Sequence, residues 1–380
     1  ADLIDFPVVI KESGTWLRNS GYTDGRIENI NGYDIIFKDA TETQTLAHEI
    51  EYYNEGSEAA DGELVAWVKI PTLDADANTV IYMYYGNSCI VNKTDNPKAV
   101  WDTANGWRAV WHMKETPTVD SYAYDSTSED NDGTFMTMAS DDQVPGQIDG
   151  SLDFDGGSDY LDLPDSKLEA IDSAITVSCW IEPEAIGNAI GLYSVGLNSG
   201  ANKGIYIQVN PDGTIDFQTG NGTSFDYHGS TGTVSASMAH IAASWYGKTK
   251  KIYINGSEDP TTSGFTGPID YTGSNNSLIG MGWVTGRLFD GVIDECRVSN
   301  EARTDSWIET SFNNQDDPSA FYSLENEATT GWITGSGDPV GAYTVPPGSD
   351  RLLVLITAWE SAGGLRTITG VTFGGVAMTQ

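Results

Sequence analysis

The chain has 380 residues, enough for about two or three domains with cores of their own. Its 35 Asp and 20 Glu outnumber 19 basic residues and give a formal charge of −36. This charge argues against binding to nucleic acid or to an anionic membrane, because both require positive patches. It favours divalent cations, and a solvated, salt-adapted surface is the simpler interpretation. No run of about 18 apolar residues occurs, so no membrane span is predicted.

Short segments rich in Val, Ile, Tyr, Trp and Thr recur along the chain between clusters of Gly, Asn, Asp and Pro. This pattern is typical of β-strands joined by turns. The clearest strands are predicted at residues 64–71, 79–87, 204–209 and 250–256, and a further strand is predicted within residues 343–359.

Two short sequences predict hairpin turns, NPDG at residues 210–213 and YINGS at residues 253–257. One segment, residues 304–312, has the pattern of a helix. Thr304 or Asp305 would cap its first turn, and its apolar residues are spaced for one face.

The chain divides into three parts. The first β-domain spans residues 1–98, and residues 91–106, rich in Asn, Asp and Thr, are interpreted as a linker. The second domain spans residues 99–327. Residues 328–380 form a partial C-terminal β-module. No repeat of fixed period is present, which argues against a solenoid or a propeller.

The first domain resembles a bacterial and archaeal domain of unknown function. The similarity rests on four segments: NGYDIIFKD (31–39), LAHEIEYY (46–53), GELVAWVKIP (62–71) and TVIYMYYGN (79–87). In modular surface proteins this domain commonly precedes a laminin-G-like module. The family has no assigned chemistry, so the resemblance implies a domain order and no site.

The second domain resembles the laminin-G-like jelly roll, a concanavalin A-like β-sandwich of secreted proteins. The ordered segments that carry the resemblance are VWHMKE (110–115), DSTSEDNDG (125–133), GSLDFDGGSDYLDLP (150–164), ITVSCWIEP (175–183) and FDGVIDECRVSNEAR (289–303). The resemblance implies an all-β protein of tandem sandwiches, located outside the cell or on its surface.

Both ends of the chain differ from the related families. Members of the first family begin with an extra strand before the segment that resembles ADLIDFPVVI (1–10), and residues 328–380 resemble only the opening half of a secreted β-module. A sandwich that lacks strands has an open edge with unpaired backbone groups. We therefore expect either a fragment of a longer polypeptide or copies that complete each other's sheets.

The loop at residues 125–133 is the best candidate for a metal site. Asp125, Asp130, Asn131 and Asp132 offer the hard oxygen ligands that Ca²⁺ prefers, although the spacing is not that of an EF-hand. A solvated acidic loop is the alternative. Laminin-G-like modules often hold one Ca²⁺ near the rim, and the resemblance assigns it to Asp125 and Asp294, with Glu115. A weaker acidic cluster contains Asp153, Asp155 and Asp159.

Asp294 and Glu295 are the obvious pair of carboxylates. Because they are adjacent on a predicted strand, their side chains are expected on opposite faces, where they could not flank one glycosidic bond. The resemblance therefore implies the non-catalytic branch of the superfamily. The four histidines, His48, His112, His228 and His240, have no metal-ligand spacing, and no nucleophile or nucleotide motif occurs.

Three cysteines cannot form a disulfide framework. Cys179 and Cys296 lie on two predicted strands at positions where core residues are expected. A disulfide between them and two buried free thiols are both possible, because the sequence does not supply the Cβ geometry. Cys89 has no obvious partner.

Aromatic rings in or beside predicted loops are candidates for stacking on sugars. They are Tyr122, Tyr124, Tyr193, Tyr227, Tyr271 and Trp283. The sequence thus predicts a non-catalytic extracellular protein that acts in adhesion or carbohydrate binding, with glycans or other surface proteins as partners. A structural subunit of a filament, sheath or tube, built from copies of this chain, is the alternative, and a glycoside hydrolase is the weakest.

Overall fold

The computed structural model describes residues 1–164, 168–171, 173–184, 186–198, 202–260, 268–272, 277–282 and 287–325, with short strands beyond them. These residues form several mainly antiparallel sheets, which confirms the all-β class. No helix in this part of the chain is long and apolar enough to cross a bilayer.

The first domain contains two sheets. Its strands are β1 (Leu3–Gly14), β2 (Ile36–Asp39), β3 (Thr45–Leu46), β4 (His48–Asn54), β5 (Gly62–Leu73) and β6 (Thr79–Tyr85). One sheet has the order β1–β5–β4, and the other contains β6, β2 and β3. Alternate residues of β6 are buried, namely Ile81, Met83 and Tyr85, as the period of a half-buried strand requires.

The second domain is a jelly roll of two larger sheets. Its strands are β7 (Trp107–Trp111), β8 (Thr134–Met136), β9 (Gln143–Pro145), β10 (Gly150–Asp155), β11 (Tyr160–Leu163), β12 (Ala174–Pro183), β13 (Ile190–Asn198), β14 (Lys203–Val209), β15 (Thr214–Asn221), β16 (Phe225–Thr233), β17 (Ala239–Tyr246), β18 (Thr249–Ile254), β19 (Ser257–Glu258), β20 (Ser277–Ile279) and β21 (Asp290–Ser299). The eight-stranded sheet has the order β19–β18–β17–β12–β21–β10–β9, with β7 also paired to β21. The seven-stranded sheet has the order β16–β15–β14–β13–β20–β11–β8.

The two sheets of the jelly roll enclose one apolar core. Ile175 and Val177 of β12 face Ile205 and Ile207 of β14 from opposite sheets of that core. Both predicted hairpin turns are confirmed. Residues 210–213 join β14 to β15, and Asn255 and Gly256, both with positive φ, join β18 to β19.

Among the described residues, helices accompany the sheets at α1 (Pro97–Val100), α2 (Asp305–Asp316) and α3 (Pro318–Phe321). Single-turn 3-10 helices occur at Thr15–Leu17, Thr103–Asn105 and Ser140–Asp142. The helix predicted at residues 304–312 is confirmed as α2. The Thr304 hydroxyl accepts a hydrogen bond from the Trp307 amide at 3.2 Å and caps the first turn.

The core of the first domain extends beyond residue 98. Trp101, from the predicted linker, and Trp107, Trp307 and Tyr322 are buried in the same cluster as Trp67. The linker segment therefore packs against the first domain. The boundary at residue 98 stays a prediction.

The outer edge of β1 is partly covered by side chains of residues that come after the jelly roll in the sequence. The Val9 amide donates to Asn314 Oδ1 at 2.8 Å, and Asn314 Nδ2 donates to the Val9 carbonyl at 3.1 Å. The Tyr322 hydroxyl makes the equivalent pair of contacts with the Lys11 amide and carbonyl, both at 2.9 Å. At these two residues α2 and β22 (Tyr322–Leu324) take the place of a neighbouring strand.

Beyond residue 325 the structure describes β23 (Ala328–Thr329), β24 (Leu352–Ala358), β25 (Val371–Phe373) and β26 (Val376–Met378). β24 pairs in parallel with β6 over Leu352–Ala358 and Thr79–Tyr85, and with β22. The strand predicted within residues 343–359 is thus joined to the first domain's second sheet. The remainder of the predicted module at 328–380 lies outside the described residues.

Candidate functional site

Asp125, the first predicted metal ligand, organises its own loop. Its carboxylate accepts hydrogen bonds from the amides of Val110, Thr127 and Asn131 at 2.8–2.9 Å and from the Thr127 hydroxyl at 2.8 Å. Burial raises the pKa of Asp125 although these bonds oppose the shift. Four donors thus satisfy this carboxylate and fix the loop against β7.

The other predicted ligands have separate environments. Asp132 accepts from the Asp125 amide at 2.8 Å, and exposed Asp130 pairs with Lys98 at 2.7 Å. Asp294 accepts from the amide of Gln147 at 2.7 Å. Calcium binding stays a prediction, to be measured as a rise in melting temperature in Ca²⁺ over that in chelator.

Glu115, another predicted ligand, is buried beside Lys114 and His112, and its Oε2 atom has no hydrogen-bond partner among the described residues. In the weaker acidic cluster, Asp155 accepts from the amides of residues 157–159, which makes that segment a self-contained turn.

Asp294 and Glu295 lie on the same face of β21, so the expectation of opposite faces was wrong. Glu295 has φ of +50°, and the pairing of β21 with β12 shifts by one residue there. Ile293 and Cys296 both enter the jelly-roll core, whereas Asp294 and Glu295 both point away from it. This β-bulge inserts one residue and breaks the alternation that the sequence argument assumed.

His112 is the centre of a buried charge network between the domains. Its Nδ1 lies 2.8 Å from Glu295 Oε1 and 3.3 Å from Glu51 Oε2, and its Nε2 lies 3.2 Å from Glu49 Oε2. Burial opposes a charge on the imidazole, but the carboxylates of Glu295, Glu51 and Glu49 outweigh it and raise the pKa of His112 well above its usual range. The ring is therefore protonated near neutral pH.

The carboxyl groups in and beside this network differ in protonation. For Glu49, burial is outweighed by His112, and its pKa is lowered to about 2. Burial dominates for Glu51 and, with the charge of Glu295, raises its pKa to about 8. Burial together with the charges of Glu295 and Glu51 raises the pKa of Asp294 well above its usual range. The network thus holds charged and neutral carboxyl groups side by side.

Two tryptophans and an arginine close the network on the side of the first domain. The indoles of Trp67 and Trp101 donate to Glu51 and Glu49, each at 2.6 Å. The Arg297 guanidinium bonds to Glu295, and its Cζ lies 4.2 Å from the centre of the Trp67 ring and 4.9 Å from that of Trp101. Cation–π contact and ion pairing therefore join β5 to β21 across the junction.

Glu51, His112 and Glu295 have ligand atoms within 4.8 Å of one another, so they could in principle hold a metal ion. Their positive partners are already the imidazolium, Arg297 and Lys114, whose ammonium donates to the Glu51 carbonyl. A metal ion would add charge beside those cations. The arrangement fits a structural ion network better than a metal centre.

Cys179 and Cys296 lie on neighbouring strands, buried in the jelly-roll core, and their thiols contact each other. Burial and this contact raise the pKa of the Cys179 thiol well above its usual range. Both are free thiols in the structure. The disulfide stays a prediction, to be tested by counting thiols in denaturant: three without a bridge and one with it.

The outer face of the seven-stranded sheet carries a row of polar and aromatic side chains. The register places Ser194, Tyr206, Gln218 and Tyr227 opposite one another across β13 to β16. Their strand neighbours, such as Ile205 and Phe217, fill the core, so this row faces outward. Tyr227 is 61% exposed.

Phe225 lies beside Tyr227 on the same face of the edge strand, with ring centroids 6.1 Å apart. Next to them the Arg287 guanidinium donates to Gln208 Oε1 at 2.6 Å, and Gln208 Nε2 donates to Asp216 at 3.2 Å. The two rings thus border a polar surface held in place by cross-strand hydrogen bonds.

Part of this face is covered. Gly282 lies against the Tyr206 hydroxyl, and Gly220 lies against the backbone of Asn202, so neither glycine leaves room for a side chain. The open portion is therefore at β15 and β16, around Asp216 and Tyr227. We define Phe225, Tyr227, Gln218 and Asp216 as the polar face.

The aromatic residues predicted to stack on sugars lie in different parts of the structure. Tyr193 and Tyr271 are in the core, Tyr227 is on the polar face, and Tyr122 and Tyr124 are exposed near the domain junction. Trp283 lies outside the described residues. Sequence reasoning missed Phe225 and Gln218, although their two-residue spacing from Tyr227 and Asp216 was a usable signal.

Comparison with known families agrees with this architecture. Residues 31–135 match the domain of unknown function DUF2341, and residues 155–309 match the concanavalin A-like lectin/glucanases superfamily, as Laminin_G_3. The chain carries a DUF2341 domain followed by a concanavalin A-like domain. This is the predicted order.

Among solved structures, the chain is similar to domain 4 of AbnA, an extracellular arabinanase from Geobacillus stearothermophilus in complex with arabinotriose (22% identity, 54% of this chain, 97% of that chain, TM-score 0.43). It is also similar to the binding domain of Paraclostridial Mosquitocidal Protein 1 (16% identity, 55% of this chain, 52% of that chain, TM-score 0.43). A third similar structure is the CBM40 module of the Ruminococcus gnavus IT-sialidase, bound to α2,3-sialyllactose (15% identity, 43% of this chain, 96% of that chain, TM-score 0.38). No curated protein matches the chain.

Proposed function

We propose that this chain is a non-catalytic, extracellular carbohydrate-binding protein whose jelly roll holds a saccharide on the polar face. The observation that carries the proposal is the exposed Tyr227 ring beside the half-buried Phe225 ring, with Asp216 on the neighbouring strand and the largely buried Gln218 between them. Sugar rings stack their C–H faces on aromatic rings, and their hydroxyls bond to amides and carboxylates. The polar face offers both kinds of group on a rigid sheet.

The burial of the only paired carboxylates that the sequence singled out supports a role without catalysis. Asp294 and Glu295 have no solvent-exposed surface of note and are committed to backbone amides, His112 and Arg297. A glycosidase needs two carboxyl groups that reach the sugar from a cleft. Adhesion to a glycan-coated surface is the biological setting that this proposal favours.

A matched pair of tyrosine variants tests the proposal. Tyr227→Ala removes a ring that is 61% exposed on the polar face, and Tyr246→Ala removes one that is 68% exposed at the end of β17 in the other sheet. A glycan array identifies the saccharide that the wild-type chain binds most tightly, and titration calorimetry measures the affinity of each variant for it. We expect Tyr227→Ala to weaken binding about tenfold and Tyr246→Ala to leave it unchanged. Equal affinities of wild type and Tyr227→Ala would contradict the assignment.

A further inference from the structure

A cleft with a volume of about 430 Å³ opens at the junction of the two domains. Glu49 and residues 93–98 form its wall on the side of the first domain, and residues between 112 and 126 form the opposite wall. The cleft shares no residue with the polar face. Its walls are positioned by the buried His112 network, so both domains are needed to form it.

Two buried carboxylates in the cleft each have an oxygen without a partner among the described residues. Glu115 is 8% exposed, and its Oε2 atom accepts no hydrogen bond. The side chain of Asp95 is 1% exposed, and its Oδ1 atom is also unpaired. A buried acceptor without a donor is unfavourable, so these two atoms favour a hydrogen-bond donor, which water or a ligand hydroxyl in the cleft can supply.

The charges around these acceptors select the kind of donor. The Lys93 ammonium lies 3.1 Å from the other oxygen of Asp95, and Lys114 and His112 are the cations that act on Glu115. A metal ion in the cleft would be repelled by these positive groups. An anion would be repelled by the unpaired carboxylate oxygens of Glu115 and Asp95. Neutral hydroxyl groups satisfy the acceptors without either conflict.

An exposed ring completes the site. Tyr124 lines the cleft and is 45% exposed, with its ring centroid 6.2 Å from that of Tyr122, which is not among the residues of the cleft. A flat ring beside buried acceptors is the combination that binds a sugar, with stacking on one side and hydroxyl hydrogen bonds on the other.

We propose that the domain-junction cleft is a second saccharide site, which takes the end of a neutral oligosaccharide through Glu115, Asp95 and Tyr124. The inference goes beyond the polar face, because it assigns a ligand to a site that includes the DUF2341 domain. Glu115 and Asp95 accept hydroxyl hydrogen bonds, and Tyr124 stacks on the sugar ring.

Titration calorimetry of the full chain with cellohexaose, xylohexaose, mannohexaose and arabinohexaose tests the site. We expect at least one of these sugars to bind, with affinity reduced about tenfold in Glu115→Gln and in Tyr124→Ala. Tyr122→Ala is the matched control and should bind as wild type does. Tyr124 is exposed, so its variant remains informative if a change at the buried Glu115 disturbs folding.

Two results would overturn the inference. One is that none of the four sugars shows binding that Tyr124→Ala and Glu115→Gln weaken. The other is that Ca²⁺ raises the melting temperature of wild type but not of Glu115→Gln. That result would show that the carboxylate oxygens in the cleft bind a cation instead of a sugar hydroxyl. The Tyr227→Ala variant separates this test from that of the polar face. Loss of binding in Tyr227→Ala alone would leave the proposed function standing and reject the cleft.

Discussion

His112 is the residue on which the buried charge at the domain junction depends. It lies between carboxylates that come from two domains, Glu49 and Glu51 on β4 and Glu295 on β21. A buried ion network of this kind is sensitive to the loss of one member, because the remaining charges stay buried without compensation.

Replacing His112 is therefore expected to be strongly destabilising. His112→Leu removes the cation between Glu49 and Glu295, and the free energy of unfolding should fall by about 3–5 kcal/mol, as measured by urea denaturation. Lys98→Gln, which removes only an exposed ion pair with Asp130, should have no measurable effect. Similar stabilities of His112→Leu and wild type would show that the network is not charged as described.

The pKa of Glu51 predicts how stability depends on pH. Its pKa rises from 4.5 in the unfolded chain to about 8 in the folded protein, so the folded state binds this proton more tightly. Stability should then decrease as pH rises from about 4.5 to 8. The raised pKa of His112 acts in the same direction, since its contribution is present at low pH and is lost as pH rises through the folded pKa.

Glu51→Gln mimics the neutral acid and should flatten this pH dependence. Its stability relative to wild type is expected to be higher at pH 8 than at pH 5, measured by urea denaturation at both values. Glu63→Gln, at an exposed position of β5, is the control and should follow the wild-type profile. A parallel profile for Glu51→Gln would assign the pH dependence to other groups.

Among the elements, β1 shows how an edge strand is protected without another strand. Asn314 on α2 supplies both a donor and an acceptor to Val9, and Tyr322 does the same for Lys11. The backbone groups of β1 are therefore satisfied at these two residues by side chains, which also block the addition of a strand there.

Asn314→Ala should expose this edge. The Val9 amide and carbonyl would lose their partners in a buried position, which is expected to cost about 1–3 kcal/mol of unfolding free energy. Hydrogen exchange of the Val9 amide should accelerate well beyond that of its neighbours. Asn313→Ala, at an exposed position of the same helix, provides the control. Unchanged exchange at Val9 would mean that the contact does not protect the strand.

At the scale of the whole molecule, the two sandwiches share a buried junction rather than a flexible connection. Trp101 from the segment between them is packed in the first core, and the same segment contributes to the cleft. The residues of the His112 network come from both domains. The two domains are therefore expected to unfold together, since neither buries these charges alone.

End-to-end association of copies through shared strands stays a prediction for the whole molecule. Because β24 pairs with β6 and side chains cover part of β1, an added strand must use another edge or displace these contacts. Light scattering and electron microscopy of the purified chain measure the outcome. Filaments would support the structural alternative, and Asn314→Ala should then associate more readily. A monodisperse monomer would contradict it.

Local features were predictable from the sequence because they depend on nearby residues. The two-residue period of the strands, the turn at Asn255 and Gly256, and the cap at Thr304 each involve contacts within a few positions. The compact loop around Asp125 was also visible as a cluster of polar residues, although its ordering through four hydrogen bonds was not. The domain order followed from the motifs that this chain has in common with each of the two families.

The tertiary structure alone decided the candidate sites. Glu49 and Glu295 are far apart in the chain, and only the folded arrangement of the two domains brings both to His112. The bulge at Glu295 reversed the expected face of a carboxylate, because one inserted residue shifts the alternation of a strand. The polar face depends on the register between β15 and β16, which no local pattern specifies. By itself the sequence determined the class of fold and its turns, whereas charge burial and cross-strand register required the folded chain.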